Sequence, residues 1–157
     1  MAIFRKDTVP VADAVSGYPD PYNLGSGNMS FRHLTDAGGL TQFGAAVQTL
    51  HPGGQSSQMH WEDHEDEFLY MLTGALTVIE NGEAAVIGPC DACCWKAGVP
   101  VAHMLRNHTD APASYLIVGA RHPENTCHYP GLDLLATPQG FTHLDGTPYP
   151  RRNQPND

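Results

Sequence analysis

Positive charge is scarce in this sequence: 8 Lys and Arg stand against 17 Asp and Glu, a formal net charge of −9. That balance argues against nucleic acid and anionic membrane surfaces as partners, because both are held by a basic face that neutralises phosphates. Long hydrophobic runs are missing too. No stretch approaches the roughly 20 apolar residues with which a helix crosses a bilayer. The first residues, Met1-Ala2-Ile3-Phe4-Arg5-Lys6-Asp7, turn polar too soon for a secretory signal, so a cytoplasmic location is expected.

Cysteine is sparse and unevenly placed, at positions 90, 93, 94 and 127. A secreted disulfide framework would be spread along the chain. Cys90-Asp91-Ala92-Cys93 is a C-x-x-C without a second one to complete a tetrahedral zinc site. The expectation is reduced thiols acting as small buried hydrophobes. A sustained helical period is also lacking. Short runs of β-forming residues recur instead, set off by turn residues among the 16 Gly and 13 Pro.

The predicted strands are Met29–Leu34, Thr41–Leu50, Ser56–Glu62, Glu67–Thr73, Ala75–Glu80, Glu83–Ile87, Ala92–Lys96, Ala102–Asn107 and Pro112–Ala120. Asn81-Gly82 is the clearest hairpin signal, since a type I′ turn needs two positive φ angles. The pattern is all-β, a sandwich or barrel forming a single domain over 1–157. Its core covers about 28–120, and the flanks 1–27 and 121–157 form extended arms. Tyr129, Leu132, Leu134, Leu135 and Phe141 must bury against the barrel or a second subunit, which favours a homodimer.

Chemistry concentrates between Gly54 and Gly74. His60 and Glu62 share one face of a strand, because side chains alternate. Asp63-His64-Glu65-Asp66 turns the chain, and Glu67 returns on the next strand. His103, on a third strand, can close a metal site. His64 falls in the turn and is expected at the surface. By parity Asn107 shares the face of His103 and Arg106 points away.

Gly54, His60, Glu67 and Gly74 fall at the spacings of the first cupin motif, with Glu62 where a second histidine is usual. Gly98, His103 and Asn107 follow the second motif with a longer gap, Lys96 replacing its proline and Cys90 its leading glycine. Over residues 41–120 the sequence therefore resembles the cupin superfamily. The phrase from His60 to Gly74, with Asp145-Gly146-Thr147-Pro148-Tyr149, is similar to a bacterial group sometimes labelled sugar-phosphate isomerase. The resemblance implies a double-stranded β-helix, or jelly-roll, barrel, often a homodimer. It also implies one divalent ion (Fe, Mn, Zn or Ni) held by His60, Glu67 and His103. Glu62 is then a fourth ligand, a general base beside the ion, or the mark of a degenerate site. The expected function is metal-dependent chemistry on a small molecule: isomerase, oxygenase (dioxygenase-like) or lyase. The alternative is a binding or sensor module without catalysis. Few cations point inward to hold a phosphate, so a neutral or aromatic ligand suits the candidates Phe43, Leu69, Met71, Trp95 and Met104 at least as well.

Overall fold

In the computed structural model, which describes residues 3–5 and 8–150, the chain folds into short strands joined by turns. Strand β1 (Ala12–Val15) pairs with β2 (Ser26–His33), which leads through a one-turn helix, α1 (Leu34–Ala37), into β3 (Phe43–Leu50). There follow β4 (Trp61–Glu62), β5 (Glu67–Thr73), β6 (Leu76–Glu80), β7 (Glu83–Ile87), β8 (Ala92–Trp95), β9 (His103–Arg106) and β10 (Ala113–Ala120). The last three strands are β11 (Cys127–His128), β12 (Leu135–Thr137) and β13 (Gly140–Thr142). A six-stranded sheet runs β1-β2-β3-β10-β5-β8, and a three-stranded sheet runs β7-β6-β9. All the pairings are antiparallel, giving a double-sheet jelly roll.

Its core holds Leu50, Leu69, Met71, Leu76, Val78, Trp95, Leu105, Ala113 and Tyr115. In β5, Leu69 and Met71 are fully buried while Phe68 and Leu72 are exposed, the period of two that fixes register. The β6–β7 hairpin turns at Asn81 and Gly82, both at positive φ, as expected. Two motif glycines have steric reasons to be glycine. At Gly74 a Cβ would lie 2.8 Å from the Ala113 backbone, and at Gly54 it would run into the Asn28 carbonyl oxygen.

Two expectations need correction, the strand Ser56–Glu62 and the burial of the cysteines. Only Trp61 and Glu62 of the predicted strand Ser56–Glu62 are ladder-paired. Upstream, the chain touches β9 at isolated bridges, Gln55 with Arg106 and His60 with His103. There the Ser56 hydroxyl, not a main-chain group, accepts the Leu105 amide, so the ladder is interrupted. The flanks also carry strands: β1 adds to the main sheet, and β11, β12 and β13 join β4 in a four-stranded sheet. Their apolar residues form a second core of Cys127, Tyr129 and Leu134, packed with Tyr18, Tyr22, Leu132, Phe141 and Tyr149. Finally, the cysteines are not uniformly buried, since Cys90 and Cys94 are exposed, Cys93 is half-buried and Cys127 alone is buried. No helix among the described residues is long and apolar enough to cross a membrane.

Candidate metal centre

His60 stands just before β4 and exchanges both backbone hydrogen bonds with His103, the first residue of β9 (3.2 and 2.9 Å). Glu67 opens β5, opposite Trp95 of β8 and Gly119 of β10. The topology thus delivers three donors from three separate segments to one point. One ligand atom each of His60, Glu67 and His103 lies within 4.8 Å of the others.

The rings are held in place. His60 Nδ1 donates to the Gln58 carbonyl at 3.0 Å, with the Ser57 hydroxyl at 3.2 Å, which leaves the Nε2 lone pair available. His103 reaches Glu67 Oε2 through Nε2 at 2.8 Å, and its buried Nδ1 has no partner. Trp95 stacks flat on His103, with centroids 3.8 Å apart and planes 7° from parallel, and its indole N–H donates to Glu80 at 2.8 Å. Two imidazoles and a carboxylate are the donor set of Zn, Fe, Mn and Ni sites, so the residues present fit a divalent ion. Burial lowers the His60 pKa, and the neighbouring His103 lowers it further, which keeps the ring neutral and able to donate to a metal.

Glu62 behaves differently from that trio. Strand β4 pairs with β11, where Glu62 lies opposite Cys127, and its carboxylate groups with His60 and the Cys127 sulfur within 4.8 Å. Burial pushes its pKa up to about 7, reinforced by the Glu65 and Glu67 carboxylates and opposed by a hydrogen bond with Asn125. Burial also raises the Cys127 thiol, to about 12.

Three cavities meet here, and Glu62 and Glu65 line all of them. The first, of about 210 Å³, is bounded by Glu67, His103, Glu80, Trp61, Trp95 and Val101, with Lys96 among its lining residues. The second, of about 490 Å³, is bounded by His60, Cys127, Tyr18, Tyr129 and His122. The third, of about 250 Å³, contains Arg121, whose guanidinium is engaged by Asp36 and the Leu40 carbonyl.

The remaining sequence candidates separate cleanly. His64 is at the surface, stacked on His122 at 4.7 Å. Asn107 is fully buried and structural: its amide donates to the Leu50 and Ala111 carbonyls, and its oxygen accepts from Thr109. Arg106 is exposed, as parity predicted. Of the apolar ligand candidates only Trp95 lines these cavities; Leu69 and Met71 are core. Cys127, Glu65 and Tyr129 were not singled out from sequence as site residues. They stand far from the motif or inside its turn, and only the β4–β11 pairing reveals Cys127 beside His60.

Comparison with known proteins bears on the family and the fold. A profile described as Cupin domain matches residues 46–119. A crystal structure of a sugar phosphate isomerase from a cupin superfamily, from Silicibacter pomeroyi DSS-3, is 35% identical with TM-score 0.86, over 95% of this chain and 97% of that one. The chain belongs to the cupin superfamily. Two further cupin-like folds lie at greater distance. A putative sugar phosphate isomerase from Acidithiobacillus ferrooxidans is 23% identical (TM-score 0.69, over 79% of this chain and 81% of that one). The polyketide cyclase RemF from Streptomyces resistomycificus is 17% identical (TM-score 0.65, over 84% and 87%). Both of these speak to the fold alone. None of the curated proteins matches the sequence.

Proposed function

We propose that this cupin is a metal-dependent isomerase that moves a proton between adjacent carbons of a small neutral hydroxy-carbonyl compound. The observation that carries the reading is the convergence of His60, Glu67 and His103 beside a cavity of about 210 Å³ into which Glu62 also faces. A divalent ion held by those three side chains would supply Lewis acidity, polarising the carbonyl and hydroxyl oxygens. Glu62 is the proton carrier: its carboxylate takes the proton from the hydroxyl-bearing carbon beside the carbonyl and returns it to the former carbonyl carbon, while the hydroxyl proton passes to the former carbonyl oxygen. Trp61, Val99 and Val101 wall the cavity and limit water around the reacting carbons.

The relative from Silicibacter pomeroyi carries the name sugar phosphate isomerase. Isomerisation suits this chain, but a phosphate does not. The first cavity presents Glu62, Glu65, Glu67 and Glu80 against Lys96, so a phosphate dianion meets a surplus of negative charge. Hydroxyl groups, by contrast, donate well to carboxylates, and an aromatic wall covers the apolar face of a sugar-like ring.

The test is proton exchange in deuterated water, followed by NMR. Protein loaded with Mn, Fe, Zn or Ni is offered neutral aldoses and ketoses alongside their phosphates. Deuterium should enter the neutral compounds next to the carbonyl. Glu62→Gln should retain the ion while exchange falls by about 100-fold or more, the usual contribution of a positioned base. A fully loaded protein that exchanges none of them would instead be a binding module.

A further inference from the structure

The molecule carries a thiol beside His60 that the isomerase reading does not use. We propose a second metal position on the far side of His60, formed by His60, Glu62 and Cys127, which takes thiophilic ions and excludes occupation of the first. The proposal does not depend on the isomerase reading, because it concerns which atoms bind an ion rather than what is turned over.

Strand pairing builds this position. In β4 and β11, Glu62 and Cys127 are direct cross-strand partners, and His60 precedes Glu62 by two residues. The three candidate donor atoms lie within 4.8 Å of one another, the same bound that holds for His60, Glu67 and His103. The two positions face different spaces. His103 and Glu67 border the cavity of about 210 Å³, whereas His60 and Cys127 border the one of about 490 Å³, and Glu62 borders both. An ion can therefore be approached from either side of the wall made by His60 and Glu62.

Donor chemistry then separates the ions. Two imidazoles and a carboxylate suit Mn, Fe, Ni and Zn, while a thiolate with one imidazole and one carboxylate draws the softer, thiophilic ions Cd and Cu(I). Binding at the second position replaces the S–H bond by a sulfur–metal bond, and the proton leaves to solvent. Thiolate and carboxylate together neutralise a divalent ion. His60 Nδ1 is committed to Gln58, so Nε2 is the one free donor atom of that ring. It cannot serve both positions, and the chain binds one ion at a time.

The test uses the full chain carrying Cys90→Ser, Cys93→Ser and Cys94→Ser, so that Cys127 is the remaining thiol. The metal-free protein, in a phosphine reductant, is titrated with Cd(II) while thiolate-to-cadmium absorption is followed in the ultraviolet. The band should saturate at one Cd(II) per chain, survive Glu67→Gln and vanish in Cys127→Ser. Glu62→Gln should weaken Cd(II) binding about tenfold or more, yet leave Mn(II) affinity unchanged. In protein preloaded with Mn(II), Cd(II) should release the manganese, read by the paramagnetic resonance of the freed ion. Bound Cd(II) without a thiolate band would overturn the second position. Simultaneous retention of Mn(II) and Cd(II) would overturn the sharing of His60.

Discussion

At the scale of single residues, Trp95 does more than fill the core. Its ring lies on His103 at 3.8 Å, and Glu80 holds its indole nitrogen, so the imidazole is clamped from one face. Trp95→Ala should cost about 3–5 kcal/mol of stability, as loss of a large buried aromatic does. It should also weaken Mn(II) binding about tenfold, because His103 loses its orienting surface. Trp95→Phe should restore most of the affinity by restoring the stack. Denaturant unfolding and a metal titration measure the two effects separately. The sequence already pointed to His60, Glu67 and His103, since motif spacing and strand parity are local properties. Cys127 was illegible for the opposite reason: its place beside Glu62 depends on a pairing between segments 65 positions apart, Glu62 with Cys127.

Among elements, the strands that alternate clearly were readable, and β5 and β7 have the predicted limits. The segment before β4 was not, because the Ser56 side chain substitutes for a ladder hydrogen bond while the segment's composition still looks strand-like. Parity correctly put His60 and Glu62 together. It could not foresee that the chain leaves β9 for β11 after His60, which brings Glu62 opposite Cys127. The turn between β9 and β10 depends on Asn107, which ties the end of β3 to Ala111 and Thr109 through four hydrogen bonds. Asn107→Ala leaves the Leu50 carbonyl and the Thr109 amide without this partner. The loss should be about 3 kcal/mol, the cost of a few buried groups left unpaired, measured by urea unfolding.

At the scale of the whole molecule, the two flanks meet each other. Tyr18 contacts Tyr129 and Phe141 with ring centroids 5.5 Å apart, so the N-terminal segment caps the C-terminal sheet. Of the apolar residues that suggested a homodimer, Tyr129 and Leu134 are buried within one chain, while Leu132, Leu135 and Phe141 stay half-buried; sedimentation at micromolar concentration decides the oligomeric state. Ions bound between segments from distant parts of the sequence should also stabilise the fold. At about 100 times its dissociation constant an ion adds about 2.7 kcal/mol. Chelation should lower the melting temperature by several degrees; an unchanged melting curve after complete removal would show that the ligand segments are already held without it.

The sequence has 2 Trp, and both border the same cavity: Trp95 on His103, and Trp61 stacked on His128 at 4.1 Å, with His128 bonded to Asp63. The intrinsic fluorescence of this protein is therefore local to the site, not averaged over the fold. A paramagnetic ion arriving beside His103 should quench Trp95, and a ligand entering the cavity should shift the emission of Trp61. The molecule thus contains its own optical gauge of occupancy, and libraries of small compounds can be screened against it without a label or an assay for turnover.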